Sequence, residues 1–122
     1  MKVRLFNFND YAEYASWWQE VAPPMQALPK AGFVIGDMKF VGFLINTDTS
    51  FAIMSWWHAN PNNKPRETRS AVLKYIDVCK ATALSLGKKH LFLYTNKRAI
   101  RKILMGAGFV EIDSGHMAYE VL

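Results

Sequence analysis

One cysteine, Cys79, stands in 122 residues. With no second thiol there is no internal disulfide and no thiolate metal cluster. A reducing cytoplasm is the simplest setting for such a chain. No apolar run approaches the roughly 18 residues of a membrane span; the longest candidate, Phe40 to Ile45, is strand-sized. The stretch Met1 to Asp10 is too polar for a signal peptide. No Gly-x-Ser-x-Gly, Walker or Rossmann pattern occurs. His58, His90 and His116 are scattered without a carboxylate pattern, so no metal site is expected. Repeats, low-complexity tracts and linkers are missing too. The reading is one domain over residues 1–122, with no membrane partner.

What is present is an apolar fraction of 51%, enough for one hydrophobic core. The net charge is +5 and unevenly placed. Most Lys and Arg fall between Lys64 and Lys102, opposed there only by Glu67 and Asp77. Such a stretch suits an anionic partner, whether nucleic acid or a phosphorylated cofactor, and equally suits solvated helix faces.

Patterning divides the chain into alternating elements. Lys2 to Phe8 alternates as a strand. Asn9 or Asp10 caps a helix whose inward face is Tyr11, Tyr14, Ala15, Trp18 and Val21. Pro23, Pro24 and Pro29 make Ala22 to Lys30 a loop. Three strands follow: Gly32 to Ile35, a tight turn at Gly36-Asp37, Met38 to Asn46, then Ser50 to His58. A long helix spans about Pro65 to Leu86, with Val72, Ile76, Cys79, Ala83 and Leu86 as its apolar stripe, and Gly87 ends it. Leu91 to Tyr94 reads as a central strand. A helix capped by Thr95 or Asn96 turns Ile100, Ile103, Leu104 and Ala107 inward, and a hairpin of Phe109 to Asp113 and His116 to Val121 closes the chain. The expectation is a mixed α/β fold in the order β-α-β-β-β-α-β-α-β-β. Of the adjacent pairs Trp17-Trp18 and Trp56-Trp57, one member each belongs in the core.

Two segments carry a resemblance. Pro61, Lys64 and Ser70-Ala71-Val72-Leu73 lie between a strand and a long helix; Asn96, Ala99 and Gly108-Phe109 lie across the next helix. With the element order, these resemble the GNAT acetyltransferases over essentially the whole chain, and are similar to the compact members encoded by tailed bacteriophages. The resemblance implies the GNAT acyl-CoA N-acyltransferase fold. It implies acetyl-CoA as co-substrate and an amine of a small molecule or protein as acceptor. Trp56, Trp57 and His58 would meet the pantetheine arm at a splayed strand end. Lys64, Arg66, Glu67, Thr68, Arg69, Ser70 and Asn96 would lie around the phosphates.

The chain departs from the family at three positions. Glu67 and Arg69 replace the two motif glycines, whose role is to let backbone approach phosphate. Leu104 stands where the family has an acid tyrosine. The thiolate then leaves unaided, or Tyr94 or Tyr119 protonates it, or the chain is not a catalyst. His58 is the candidate general base, since imidazole titrates near neutrality; a strand-end histidine without chemistry is the simpler alternative. A non-catalytic module meeting nucleic acid or a host protein through Lys97, Arg98, Arg101 and Lys102 is the competing expectation. Either a monomer or a homodimer fits.

Overall fold

The strands are Val3–Leu5 (β1), Ala31–Ile35 (β2), Phe40–Asn46 (β3), Phe51–Ala59 (β4), His90–Tyr94 (β5), Val110–Asp113 (β6) and His116–Glu120 (β7). The helices are Tyr11–Ser16 (α1), Pro65–Ser85 (α2) and Arg98–Gly106 (α3). The computed structural model describes residues 1–121 and keeps the expected element order. One sheet forms, in the order β1-β2-β3-β4-β5-β7-β6. Every neighbouring pair is antiparallel except β4–β5. That exception is forced, because a parallel pair needs a crossover and α2 supplies it.

Side-chain alternation assigns the faces. Phe33, Phe40, Leu44, Leu91, Leu93 and Met117 bury against α2 and α3, meeting Val72, Tyr75, Ile76, Cys79, Ala83 and Leu104. On the other face Val34, Val41 and Phe43 meet Tyr14 and Trp17. This second cluster ends at β4. Beyond it the same face carries Phe51, Phe92, Tyr94 and His116 in ring contact, half-buried or exposed, and Val110 and Ile112 stand out in solvent.

Local chemistry explains the helix ends. Pro65 opens α2 at a position whose N–H has no helical partner. Gly87, at φ +73°, closes it in a Schellman turn: Lys88 N–H donates to the Ala83 carbonyl and Gly87 N–H to that of Leu84. Cys79 is fully buried, and burial pushes its thiol up, so it acts as a small apolar residue.

Several boundaries differ from expectation. β1 stops at Leu5 because Asn7 starts a 3-10 turn: its side chain accepts from Asn9 N–H, and the Asp10 carboxylate accepts from Asn7 N–H. Arg4 pairs with that carboxylate at 2.7 Å. α1 ends at Ser16, short of the expected Val21, which is 91% exposed. Gly36 and Asp37 do not form a two-residue turn. Gly36 to Lys39 all turn, with Gly36 and Met38 at positive φ, and β3 begins at Phe40. Leu86 leaves the apolar stripe and is exposed. α3 begins at Arg98; Thr95 instead accepts from Lys97 N–H, and Asn96 caps nothing. Phe109 precedes β6. Among the described residues no helix is long and apolar enough to cross a membrane.

Candidate active site

β4 carries an extra residue relative to β3. Val41 faces His58 and Phe43 faces Ser55, so two steps along β3 match three along β4. The bulge falls at Trp56, which sits at φ +51°, a conformation that costs an L-residue roughly 1–2 kcal/mol. Two tyrosines hold it from opposite faces. Tyr14 of α1 donates its hydroxyl to the Trp56 carbonyl at 2.6 Å, and Tyr75 of α2 donates to the Phe43 carbonyl at 2.6 Å. Both phenols are pushed up by burial and remain donors. Gly42 makes room for the second contact: a Cβ there would lie 2.4 Å from the Tyr75 ring.

The bulge coincides with a parting of strands. β4 and β5 pair at Phe51–His90, Ala52–Leu91 and Ile53–Phe92 and no further. From Met54 onward the β5 side of β4 has no ladder partner. A groove of about 550 Å³ lies at this end of the parting, walled by Trp17, Trp18, Trp57 and Tyr94. His58 lies in it, and Thr95 to Lys97, Gln19, Glu20 and Pro61 complete its lining. Its volume falls within the roughly 300–1,000 Å³ of small-molecule sites.

His58 is half-buried, its ring 5.2 Å from that of Trp18 and 6.3 Å from that of Trp17. Its Nδ1 lies 2.7 Å from the Ala59 carbonyl, an atom that only accepts. Nδ1 therefore carries the proton of the neutral ring, and Nε2 keeps a free lone pair. Burial lowers its pKa; the Ala59 carbonyl opposes this and Lys97 adds to it. The imidazole is neutral at pH 7 and able to accept a proton.

The start of α2 is differently arranged. Glu67 accepts from Lys64 N–H at 2.8 Å and pairs with Lys39 at 2.8 Å, so it turns toward the β2–β3 turn, with Lys39 as partner in place of a neighbouring Arg. The Lys39 bond, then the Lys64 N–H, hold its carboxyl below the usual range. Glu67 and Thr68 N–H groups both reach the Lys64 carbonyl, and Asn63 donates to Thr68 Oγ1. Few backbone donors remain in this turn, while the Arg66, Arg69 and Ser70 side chains are exposed.

Of the expected site residues, the groove gathers Trp57, His58, Tyr94 and Asn96. Trp56 lies beside it, 6.1 Å from Trp18. Lys64, Arg66, Glu67, Thr68, Arg69 and Ser70 are not in its lining, although Pro61, just before them, is. Tyr119 is not brought in: it pairs with Leu91, stacks near Phe109 and lies under Lys80 Nζ, at the other end of β5 from Tyr94. The segment Trp17 to Glu20 was missed, because the helix was expected to run through it. Of the first tryptophan pair, Trp17 is in the core and Trp18 half-buried, as expected, and both line the groove. Among the described residues no cluster of His, Cys, Asp and Glu suits a metal.

No family model matches the sequence, and no curated protein matches it. Solved structures do. A GNAT-family acetyltransferase of Staphylococcus aureus superposes with a TM-score of 0.77 at 11% identity, covering 99% of each chain. N-acetylglutamate synthase of Neisseria gonorrhoeae, complexed with coenzyme A and L-arginine, gives 0.70 at 10% identity; this chain is covered to 98% and spans 32% of that one. A GNAT-family N-acetyltransferase of Escherichia coli in complex with CoA gives 0.65 at 10% identity, over 99% of this chain and 81% of that one. The chain has the GNAT fold.

Proposed function

We propose that this chain transfers an acetyl group from acetyl-CoA to an amine of a small molecule or protein. One observation carries the reading: β4 loses its β5 partner after Ile53, and a groove holding a neutral His58 opens at that end. Acetyl-CoA supplies an activated acetyl thioester. The unpaired edge around Trp56 to His58 suits the pantetheine amides as a missing strand would. Arg66, Arg69, Ser70 and Lys64, exposed at the start of α2, offer charged and hydroxyl donors to phosphate in place of the backbone approach that glycines permit. Thr68 stays with Asn63 and Glu67 with Lys39, so these two order the turn and leave phosphate to their neighbours. Asn96 lines the groove.

His58 Nε2 takes the proton from the incoming ammonium, which frees the nitrogen lone pair to attack. The N–C bond forms, the nitrogen sheds its second proton to solvent, the C–S bond breaks, and the departing thiolate takes up a proton. Tyr94, in the groove and 55% exposed, is the one of the two expected tyrosines placed to provide it.

Calorimetry with acetyl-CoA, followed by detection of released thiol, tests the reading; micromolar binding is expected. His58→Ala should slow turnover by about 10²–10⁴-fold with cofactor affinity kept. Arg69→Glu should abolish cofactor binding in a folded chain. A second reading rests on Arg98 and Lys102, exposed at α3 and without acidic partners among the described residues, whereas Arg101 pairs with Glu111. Salt-sensitive binding to DNA or RNA with no response to acetyl-CoA would favour a non-catalytic module.

A further inference from the structure

The groove lining carries two charged side chains, Lys97 and Glu20. Lys97 stands near Trp57, its ammonium 5.9 Å from the ring centre. Trp17 and Trp18 lie beside His58, and Glu20, two residues on from Trp18, is exposed and makes no ion pair among the described residues. Lys97 repels a cation and Glu20 attracts one. An indole face attracts a cation through its quadrupole and an apolar body through contact area. Trp17 is 6% exposed and held against Tyr14, so that wall is fixed before any ligand arrives. His58, uncharged, does not oppose an ammonium beside it.

We infer that the acceptor is a small primary amine on an aromatic or alkyl body, seated against Trp17 and Trp18 with its ammonium toward Glu20 and His58. This rests on the transferase reading and narrows it. A carboxylate-bearing acceptor meets repulsion from Glu20. A fully hydrophilic polyamine gains nothing from the two rings. A peptide amine would leave most of its chain outside the walls described.

The test uses the whole chain without acetyl-CoA, so that acceptor binding is read by itself. Tryptophan fluorescence and calorimetry would follow 2-phenylethylamine, its uncharged isostere 2-phenylethanol, putrescine and a lysine-bearing peptide. Phenylethylamine should bind about tenfold more tightly than each of the others. Glu20→Gln, at an exposed position, should shrink the amine-to-alcohol ratio to about twofold. Trp18→Ala should remove phenylethylamine binding and Trp18→Phe should restore most of it, a pair that separates loss of the ring from loss of the fold. Equal affinity for amine and alcohol, preference for putrescine or peptide, or indifference to Glu20→Gln would overturn the assignment. If acetyl-CoA binds and phenylethylamine does not, the acceptor assignment falls while the transferase reading stands. If neither binds, both fall.

Discussion

The first third of β4 and its remainder obey different rules. Ala52 and Ile53 are paired on both edges, to β3 and to β5, as in any interior strand. Met54 to Ala59 are paired on one edge only, and that edge is bulged. In the regular third nothing but the ladder is needed. Along the irregular stretch, α1 and α2 must reach in from opposite faces with tyrosine hydroxyls to satisfy carbonyls and hold a strained residue. An opening inside a sheet is thus a constructed feature that needs side-chain partners of its own.

The comparison breaks most severely at Gly42. Gly42→Ala drives a methyl into the Tyr75 ring, and chemical denaturation should show a loss of about 3 kcal/mol, the upper end for overpacking. Next is Tyr14→Phe, which leaves the Trp56 carbonyl without its buried donor. A loss of about 1–3 kcal/mol is expected, and combining it with Tyr75→Phe should cost less than the sum, because the two act on one bulge. Trp56 sharpens the contrast by a smaller amount: Trp56→Gly should be more stable than Trp56→Ala by about 1 kcal/mol. In the regular third, at Ile53, the order should reverse.

The smallest effect is in pH. The fold lowers the His58 pKa from 6.5, so the unfolded chain binds more protons just below neutrality. Its contribution is complete above pH 6.5 and declines as pH falls toward the folded value. Replacing His58 by Gln should flatten that segment of the stability profile. If it is the base, the low-pH limb of the rate profile should fall below the ordinary histidine value and vanish in the same variant.

Most elements were legible because their signals are local. Strand alternation, Pro65 at one end of α2 and Gly87 at the other need no knowledge of what lies across the fold. The apolar stripe of α2 failed only at Leu86, one residue past the helix. The segment Trp17 to Glu20 was hidden for a different reason. Its residues continue a helical pattern, yet the helix ends at Ser16 and both indoles lie beside His58 of β4, a partner distant in sequence. The splay beside Trp57 was anticipated through resemblance, but the bulge behind it was not. Tyr14 reads as an ordinary inward-facing helix residue and Tyr75 lies outside the expected stripe of α2, and nothing nearby in sequence marks their hydroxyls for a strand carbonyl. The partner of Glu67, Lys39, comes from a distant turn, which no local pattern marks.

The two tyrosine bonds also order events in time. One joins Tyr14 to Trp56 across 42 positions, and the other joins Tyr75 to Phe43 across 32. Contacts so remote in the chain form after local turns and helices, once loop-closure entropy has been overcome. The opening is therefore expected to mature after the local turns and helices. Backbone amides around Trp56 should gain exchange protection only when α1 and α2 are both docked, and a chain shortened to begin after Ser16 should keep much of its sheet while never acquiring the cleft.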